Sequence, residues 1–123
     1  MKTAKYISRK NFEKYDDNHY LLYLNEADAE ITNEQTNEVA KGVQYSGNME
    51  DGGTMVKASG VTPENRRDKF IAGLIGTKYD MDAQIAILAN DTDTPKHTAE
   101  LEAFKAFRQD CKAAVDELLA RSI

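Results

Sequence analysis

The carboxylates between Asp91 and Glu102 come nearest to a known ligand-binding pattern. Asp91, Asp93 and Glu102 have the end-to-end spacing of a calcium-binding loop. Pro95 stands at the fifth position, where an oxygen ligand is usual, and Lys96 at the sixth, where glycine is needed. We therefore interpret this stretch as the capped start of a helix, and we predict no metal site in it.

The other residues that could bind a metal or attack a substrate are isolated. Neither His19 nor His97 has a cysteine or histidine at metal-ligand spacing, so both are interpreted as surface residues. Cys111 is the single cysteine, which excludes an internal disulfide and favours a reducing compartment or a structure indifferent to redox. It lies on an apolar helical face, where a small buried hydrophobe is expected rather than a nucleophile. We predict no catalytic residue and no cofactor.

Two further segments contain residue types found in anion-binding sites, but neither segment matches such a site. The segment from Glu50 to Gly53 carries two acids and no lysine, unlike a phosphate loop, and we predict a hairpin tip there. Arg66 and Arg67 could grip a phosphate or a carboxylate, but ion pairs with Glu64 or Asp68 are the more ordinary expectation.

Tyrosines give the most suggestive pattern. Five of the six lie in the first 45 residues, and tyrosine is common both on half-exposed strands and at interfaces. Sheet packing and a partner surface therefore both remain open. The candidate partner surface consists of Tyr6, Tyr15, Tyr20, Tyr23 and Tyr45.

Composition and charge argue against nucleic-acid-binding, membrane-spanning and secreted proteins. The 123 residues carry a net charge of −5, and both halves are mildly acidic, so a basic nucleic-acid-binding face is not expected. No apolar run approaches the length of a membrane span. The first ten residues are charged and lack an apolar secretion signal. We expect a soluble, unsecreted protein with no nucleic-acid or membrane partner.

Residues 1–60 form a predicted β-rich region. Tyr20–Leu24 is the clearest strand, because turn-forming residues flank an aromatic and aliphatic run. A short strand is expected within Ala4–Arg9. Either Ala29–Thr32 pairs back as a short strand, or Asn25–Ala29 forms one helical turn. Thr32–Ala40 is polar enough for an exposed loop or a mobile segment. Val43–Tyr45 and Thr54–Ala58 are predicted to pair as a hairpin around the glycine-rich segment between them.

Residues 61–123 form a predicted helical region of the same single domain. Thr62-Pro63, Asp80 and Thr94-Pro95 are helix-start signals, which place three helices near 62–78, 81–90 and 94–120. Gly73 is expected where another backbone approaches, and Gly76 in a weakened last turn. The fold class is therefore α+β: an N-terminal antiparallel β-hairpin region followed by a three-helix C-terminal array.

Helical spacing also predicts a shared core. Its expected members are Phe70, Leu74, Ile85, Leu88, Phe104, Cys111 and Leu118. On the third helix the apolar positions recur at alternating three and four residues, with Arg108 at the interrupted position. This seam is broad enough to serve both the core and a second copy of the chain, and it predicts a homo-oligomer, most simply a dimer. Its apolar members are Leu101, Phe104, Cys111, Val115 and Leu118.

Four segments resemble small proteins encoded in phages and prophages, often beside tail or other structural genes. The resemblance covers roughly residues 45–119. It is carried by Asp51–Val56, Arg67–Ile71, Lys78–Leu88 and Phe107–Lys112. It implies a viral accessory or structural role and transfers no catalytic residue.

These observations predict a non-enzymatic phage or prophage protein, accessory or tail-associated, that binds another structural protein or itself. It would act in the host cytoplasm or in the virion. A small cytoplasmic bacterial adaptor or regulatory protein is the alternative. An enzyme with a dispersed carboxylate and tyrosine site is the third, and a pocket of convergent polar groups would favour it.

Overall fold

The computed structural model describes residues 1–123 and has the expected α+β class, with six strands followed by three helices. The strands are β1 (Lys2–Tyr6), β2 (Phe12–Asp16), β3 (His19–Leu22), β4 (Ala27–Thr32), β5 (Val39–Gly47) and β6 (Thr54–Lys57). The helices are α1 (Arg66–Gly76), α2 (Met81–Asn90) and α3 (Pro95–Ala120). None of the helices is both long and apolar enough to cross a bilayer.

Two three-stranded antiparallel sheets make up the β region. In the first, β5 lies between β1 and β4; in the second, β3 lies between β2 and β6. The β4–β5 ladder runs from Ala27 paired with Gln44 to Thr32 paired with Val39, so the strand alternative for Ala29–Thr32 is confirmed. The exposed segment predicted at 32–40 is mainly the turn of this hairpin.

The predicted pairing of Val43–Tyr45 with Thr54–Ala58 is wrong. The first segment is occupied on both sides, by β1 and β4, and the second pairs with β3. Asn48–Gly53 is therefore a turn that joins the two sheets rather than a hairpin tip. Gly52 in this turn has φ +83, and a Cβ there would lie 2.7 Å from the Tyr45 carbonyl oxygen.

The central strand β3 and the residues after it separate two apolar layers. Leu22 and Leu24 pack with the helices in the main core, whereas Leu21 and Tyr23 pack in a smaller cluster with Tyr45. Alternate residues of a strand point to opposite faces. The uninterrupted apolar run from Tyr20 to Leu24 is thus explained by burial on both faces.

Helix starts follow the predicted signals, with one shift. The Asp80 carboxylate accepts the Ala83 N–H at 2.7 Å, and the Thr94 hydroxyl accepts the His97 N–H at 3.1 Å. The first helix begins at Arg66, after a turn closed by hydrogen bonds between Thr62 and Asn65. The close approach expected at Gly73 is confirmed, because a Cβ there would lie 2.6 Å from the Lys57 carbonyl oxygen.

The predicted core is right for α1 and α3 and wrong for α2. Ile85 and Leu88 are 58% and 56% exposed, and α2 has no buried residue. Every apolar member of the α3 seam is buried within the chain, so that seam has no free face for a second copy. The predicted self-association stays a prediction, but it requires another surface.

Candidate interaction surface

The five tyrosines of the predicted partner surface do not form one surface, which corrects that prediction. Tyr23 and Tyr45 are fully buried, and Tyr6 packs half-buried against them. Tyr20 lies on the opposite face of β3, in the helix-facing core. Only Tyr15 is largely exposed. Two packed layers cover most of these rings, because the β region contributes a second sheet instead of one thin sheet open to solvent.

Hydroxyls of buried tyrosines meet half-buried carboxylates between the two sheets. The Tyr45 hydroxyl accepts the Lys10 N–H at 2.8 Å and donates to Glu26 Oε2 at 2.7 Å. Arg9 donates to both oxygens of Glu26, at 2.8 to 3.1 Å. The hydrogen bonds from Arg9, chiefly, and from Tyr45 lower the pKa of the Glu26 carboxyl below its ordinary value.

Asp51 closes the other end of this cluster. The Tyr23 hydroxyl donates to Asp51 Oδ2 at 2.8 Å, and the Tyr6 hydroxyl donates to the Asp51 carbonyl oxygen. Asp51 Oδ1 accepts the Gly53 N–H at 2.9 Å, which shapes the turn between the sheets. Burial, together with the bond to Asp51, raises the pKa of Tyr23. This phenol therefore stays protonated at neutral pH.

Arg121 ties the end of α3 to this cluster. Its side chain is 1% exposed. Nη1 donates to the carbonyl oxygens of Tyr23 at 2.6 Å and Lys10 at 3.0 Å. Nε and Nη2 form a fork with the Glu117 carboxylate, and Nε lies 3.6 Å from Glu26 Oε2. One buried guanidinium thus joins the helical layer to the second sheet.

This cluster is built to hold the layers together rather than to react. No buried side-chain nitrogen or oxygen lacks a hydrogen-bond partner, and the carboxylates are already bound by arginines and phenols. Sequence reasoning missed the roles of Glu26, Asp51 and Arg121, because Arg121 and its partner Tyr23 lie 98 positions apart. No local pattern could have indicated that pairing.

The isolated candidates lie where an ordinary structural role explains them. His19 at the start of β3 bonds Asp16 at the end of β2, and His97 in the first turn of α3 bonds Asp93 just before that helix. Burial raises the pKa of the Cys111 thiol to about 11, so the thiolate is scarce at neutral pH. No cluster of three or more histidine, cysteine, aspartate or glutamate side chains could hold a metal ion.

The ion pairs predicted for Arg66 and Arg67 are confirmed only in part. Arg67 lies 3.6 Å from Asp68, as predicted, but its closer partner is Asp116 of α3, which accepts from Nε at 2.6 Å. Arg66 lies over the Phe12 ring. This pair of arginines therefore joins α1 to its neighbours.

The most unusual surface of the molecule is on α2. Met81, Ile85 and Leu88 are 67%, 58% and 56% exposed, and their spacing of four and three residues places them on one face. Asp82 is the only charged residue of this ten-residue helix. We call Met81, Ile85 and Leu88 the α2 patch. A helix this apolar is normally buried, and a contiguous exposed apolar face marks an interaction site.

Grooves lie on both sides of α2. A groove of about 430 Å³ runs between α1, α2 and α3, with an apolar floor and Arg108 and Lys112 on its α3 side. Its apolar lining residues are Ile71, Ala72, Ile75, Met81, Leu88 and Phe104. We call this groove the α1–α3 groove. It extends the α2 patch into a concave surface.

A larger cleft, of about 730 Å³, lies between α2 and the edge of β6. Three methionines line it, Met49, Met55 and Met81, and methionine side chains adapt readily to a partner's shape. Met81 borders both concave surfaces, so the exposed apolar surface is continuous across α2.

Comparison of the chain with protein-family models, curated proteins and solved structures returned no match.

Proposed function

We propose that this chain is a non-enzymatic protein of phage or prophage origin with an accessory or structural, tail-associated role. It acts by binding protein through the α2 patch, in the host cytoplasm or in the virion. The observation that carries the interaction role is the exposed apolar face of α2 beside two grooves. The viral origin is supported by the resemblance of the segments within residues 45–119.

Catalysis by dispersed carboxylates and tyrosines receives less support from the geometry. Tyr23, Tyr45, Glu26 and Asp51 do converge, but they bond to one another inside the molecule. The concave surfaces lie elsewhere, beside α2. The α1–α3 groove is lined mainly by apolar side chains, and the larger cleft by apolar and polar side chains alike. A small cytoplasmic bacterial adaptor would use the same α2 patch, and the neighbouring genes distinguish it from a virion-associated protein.

The test is binding of the purified chain to itself and to the purified products of neighbouring genes. Ile85→Lys places a charge in the centre of the α2 patch. Val39→Lys is the matched control, because Val39 is also 58% exposed but lies on β5. Ile85→Lys should abolish binding that Val39→Lys retains. Absence of any association, or equal loss in both variants, would contradict the proposal.

A further inference from the structure

We propose that the partner on the α2 patch is a second copy of this chain. In this two-fold dimer the α2 helices pack antiparallel, and each also faces the α1–α3 groove of the other copy. The inference rests on the proposed function and names its partner. Three observations carry it: the surface left open by a single copy, the direction of α2, and unpaired charges at opposite ends of that helix.

A single copy exposes more surface than its size requires. Its accessible surface is 7927 Å², whereas a compact monomer of 13.8 kDa is expected to expose about 6,600 Å². The excess exceeds the roughly 800 Å² that each partner buries in an interface of standard size. Burial of the α2 patch and its grooves in a dimer would account for a large part of that excess.

The direction of α2 determines which residues would meet. Tyr79, just before α2, packs against Phe104 and Phe107 with ring centroids 5.0 and 5.7 Å apart. The short turn from Asp91 to Thr94 returns the chain to the start of α3. The helix therefore runs antiparallel to α3, with Met81 near Arg108 and Asp91 about 15 Å away at the other end.

Arg108 and Lys112 of α3 lie beside the first turn of α2, which itself carries Asp80 and Asp82, and Asp91 lies at the other end of that helix. Arg108, Lys112 and Asp91 have no ion-pair partner within the chain. Arg108 and Lys112 form no salt bridge; Arg108 only lies over the Phe104 ring, at 5.8 Å. Asp91 is likewise unpaired and exposed.

Antiparallel packing of the two α2 helices brings these charges together. It puts the last turn of one α2 beside the first turn of the other, and so Asp91 of each copy beside Arg108 of its partner. In this arrangement the apolar face of each α2 covers that of the other, and each Asp91 meets a cation of the partner copy, as a self-complementary two-fold interface requires.

Charge reversal tests this arrangement without touching the apolar centre. Arg108→Glu makes two acids face each other at both ends of a symmetric dimer, and Asp91→Lys makes two bases do so. Each variant alone should show a Kd raised about tenfold or more. An equimolar mixture of the two should form a heterodimer about as tight as the wild-type dimer, because both charge pairs are then restored.

Native mass spectrometry of the mixture separates the three dimers, since the two chains differ in mass. Predominance of the heterodimer supports the proposal. A statistical mixture, or single variants that dimerise like the wild type, would overturn it. Asp91 has φ +49, which, among residues other than glycine, aspartate and asparagine adopt most readily. If Asp91→Lys does not fold, Asp91→Asn serves instead and should raise the Kd severalfold; an unchanged Kd would overturn the proposal.

Ile85→Lys separates failure of this inference from failure of the proposed function. A wild-type chain that remains monomeric, yet binds a neighbouring gene product in an Ile85-dependent way, overturns the dimer and leaves the interaction role standing. A chain that binds neither itself nor such a product overturns both. A dimer that Val39→Lys weakens as much as Ile85→Lys places the interface elsewhere and overturns the inference.

Discussion

At the residue scale, Arg121 joins the end of α3 to the β region through a buried side chain. It is a buried cation from the end of α3 that bonds two backbone carbonyls of the β region and the Glu117 carboxylate. A buried charge requires such partners, because removal from water is costly. Loss of the guanidinium would leave the carbonyl oxygens of Tyr23 and Lys10 without these bonds. Glu26 would keep Arg9 as its only nearby cation.

Arg121→Met should therefore destabilise the protein by about 1–3 kcal/mol, the usual cost of leaving a buried hydrogen-bond acceptor without its donor. Arg67→Met is the matched control. Arg67 forms a comparable fork with Asp116, but its side chain is 49% exposed, and an exposed pair contributes about 0–1 kcal/mol. Urea denaturation of both variants measures the difference. Equal midpoints would show that Arg121 does not join the layers.

Glu26 makes stability depend on pH in the acid range. Its pKa is lowered in the folded state, so the native state favours the ionised carboxylate. That contribution is fully present above the ordinary value of 4.5 and is lost as pH falls through the lower, folded-state value. Glu26→Gln should show a smaller loss of melting temperature between neutral and acid pH than the wild type. Parallel pH profiles would contradict the assignment.

At the scale of elements, local sequence signals predicted where helices and strands lie better than they predicted which strands pair. The caps at Asp80 and Thr94 and the apolar run at Tyr20–Leu24 were recognisable because each depends on a few neighbouring residues. The pairing of Val43–Tyr45 was not, because its partners are β1 and β4. Proximity in sequence favoured a hairpin, whereas long-range pairing with two other strands prevailed.

Two glycines of α1 give a matched test of helix packing. Gly73→Ala would place a Cβ 2.6 Å from the Lys57 carbonyl and 3.0 Å from the Val56 Cβ, so α1 and β6 must separate. Overpacking of this kind costs about 1–3 kcal/mol. Gly76→Ala meets no atom within 4 Å and should stabilise by about 0.4–1 kcal/mol. Thermal unfolding should shift in opposite directions, and a shift in the same direction would contradict the close approach.

The second helix shows what periodicity can and cannot reveal. The spacing of Met81, Ile85 and Leu88 predicted a helix with an apolar face, and the helix is there. The inference that this face lies in the core was wrong, because a pattern identifies a face without identifying what covers it. In the structure α1 packs on β6 and on α3, and α2 packs mainly on α3.

At the scale of the whole molecule, the candidate site could not be predicted from its residues alone. The five tyrosines do not form one surface, since four of them pack in the two apolar layers, which only the sheet topology creates. The α2 patch is recognised only when the helical spacing of its three apolar residues is combined with their exposed fractions in the structure. The fold class was predictable because strand and helix signals are separated along the chain, whereas the layering depends on contacts across it.

Sedimentation equilibrium of the wild type and Ile85→Lys, over a hundredfold range of concentration, tests the central claim most directly. The claim is that a second copy covers the α2 patch. The wild-type mass should rise from 13.8 kDa towards twice that value as concentration increases. One monomer–dimer dissociation constant should fit the whole range. The Ile85→Lys mass should remain that of one chain across the same range. A wild-type mass of 13.8 kDa at every concentration, or superimposable curves for the two proteins, would contradict the claim.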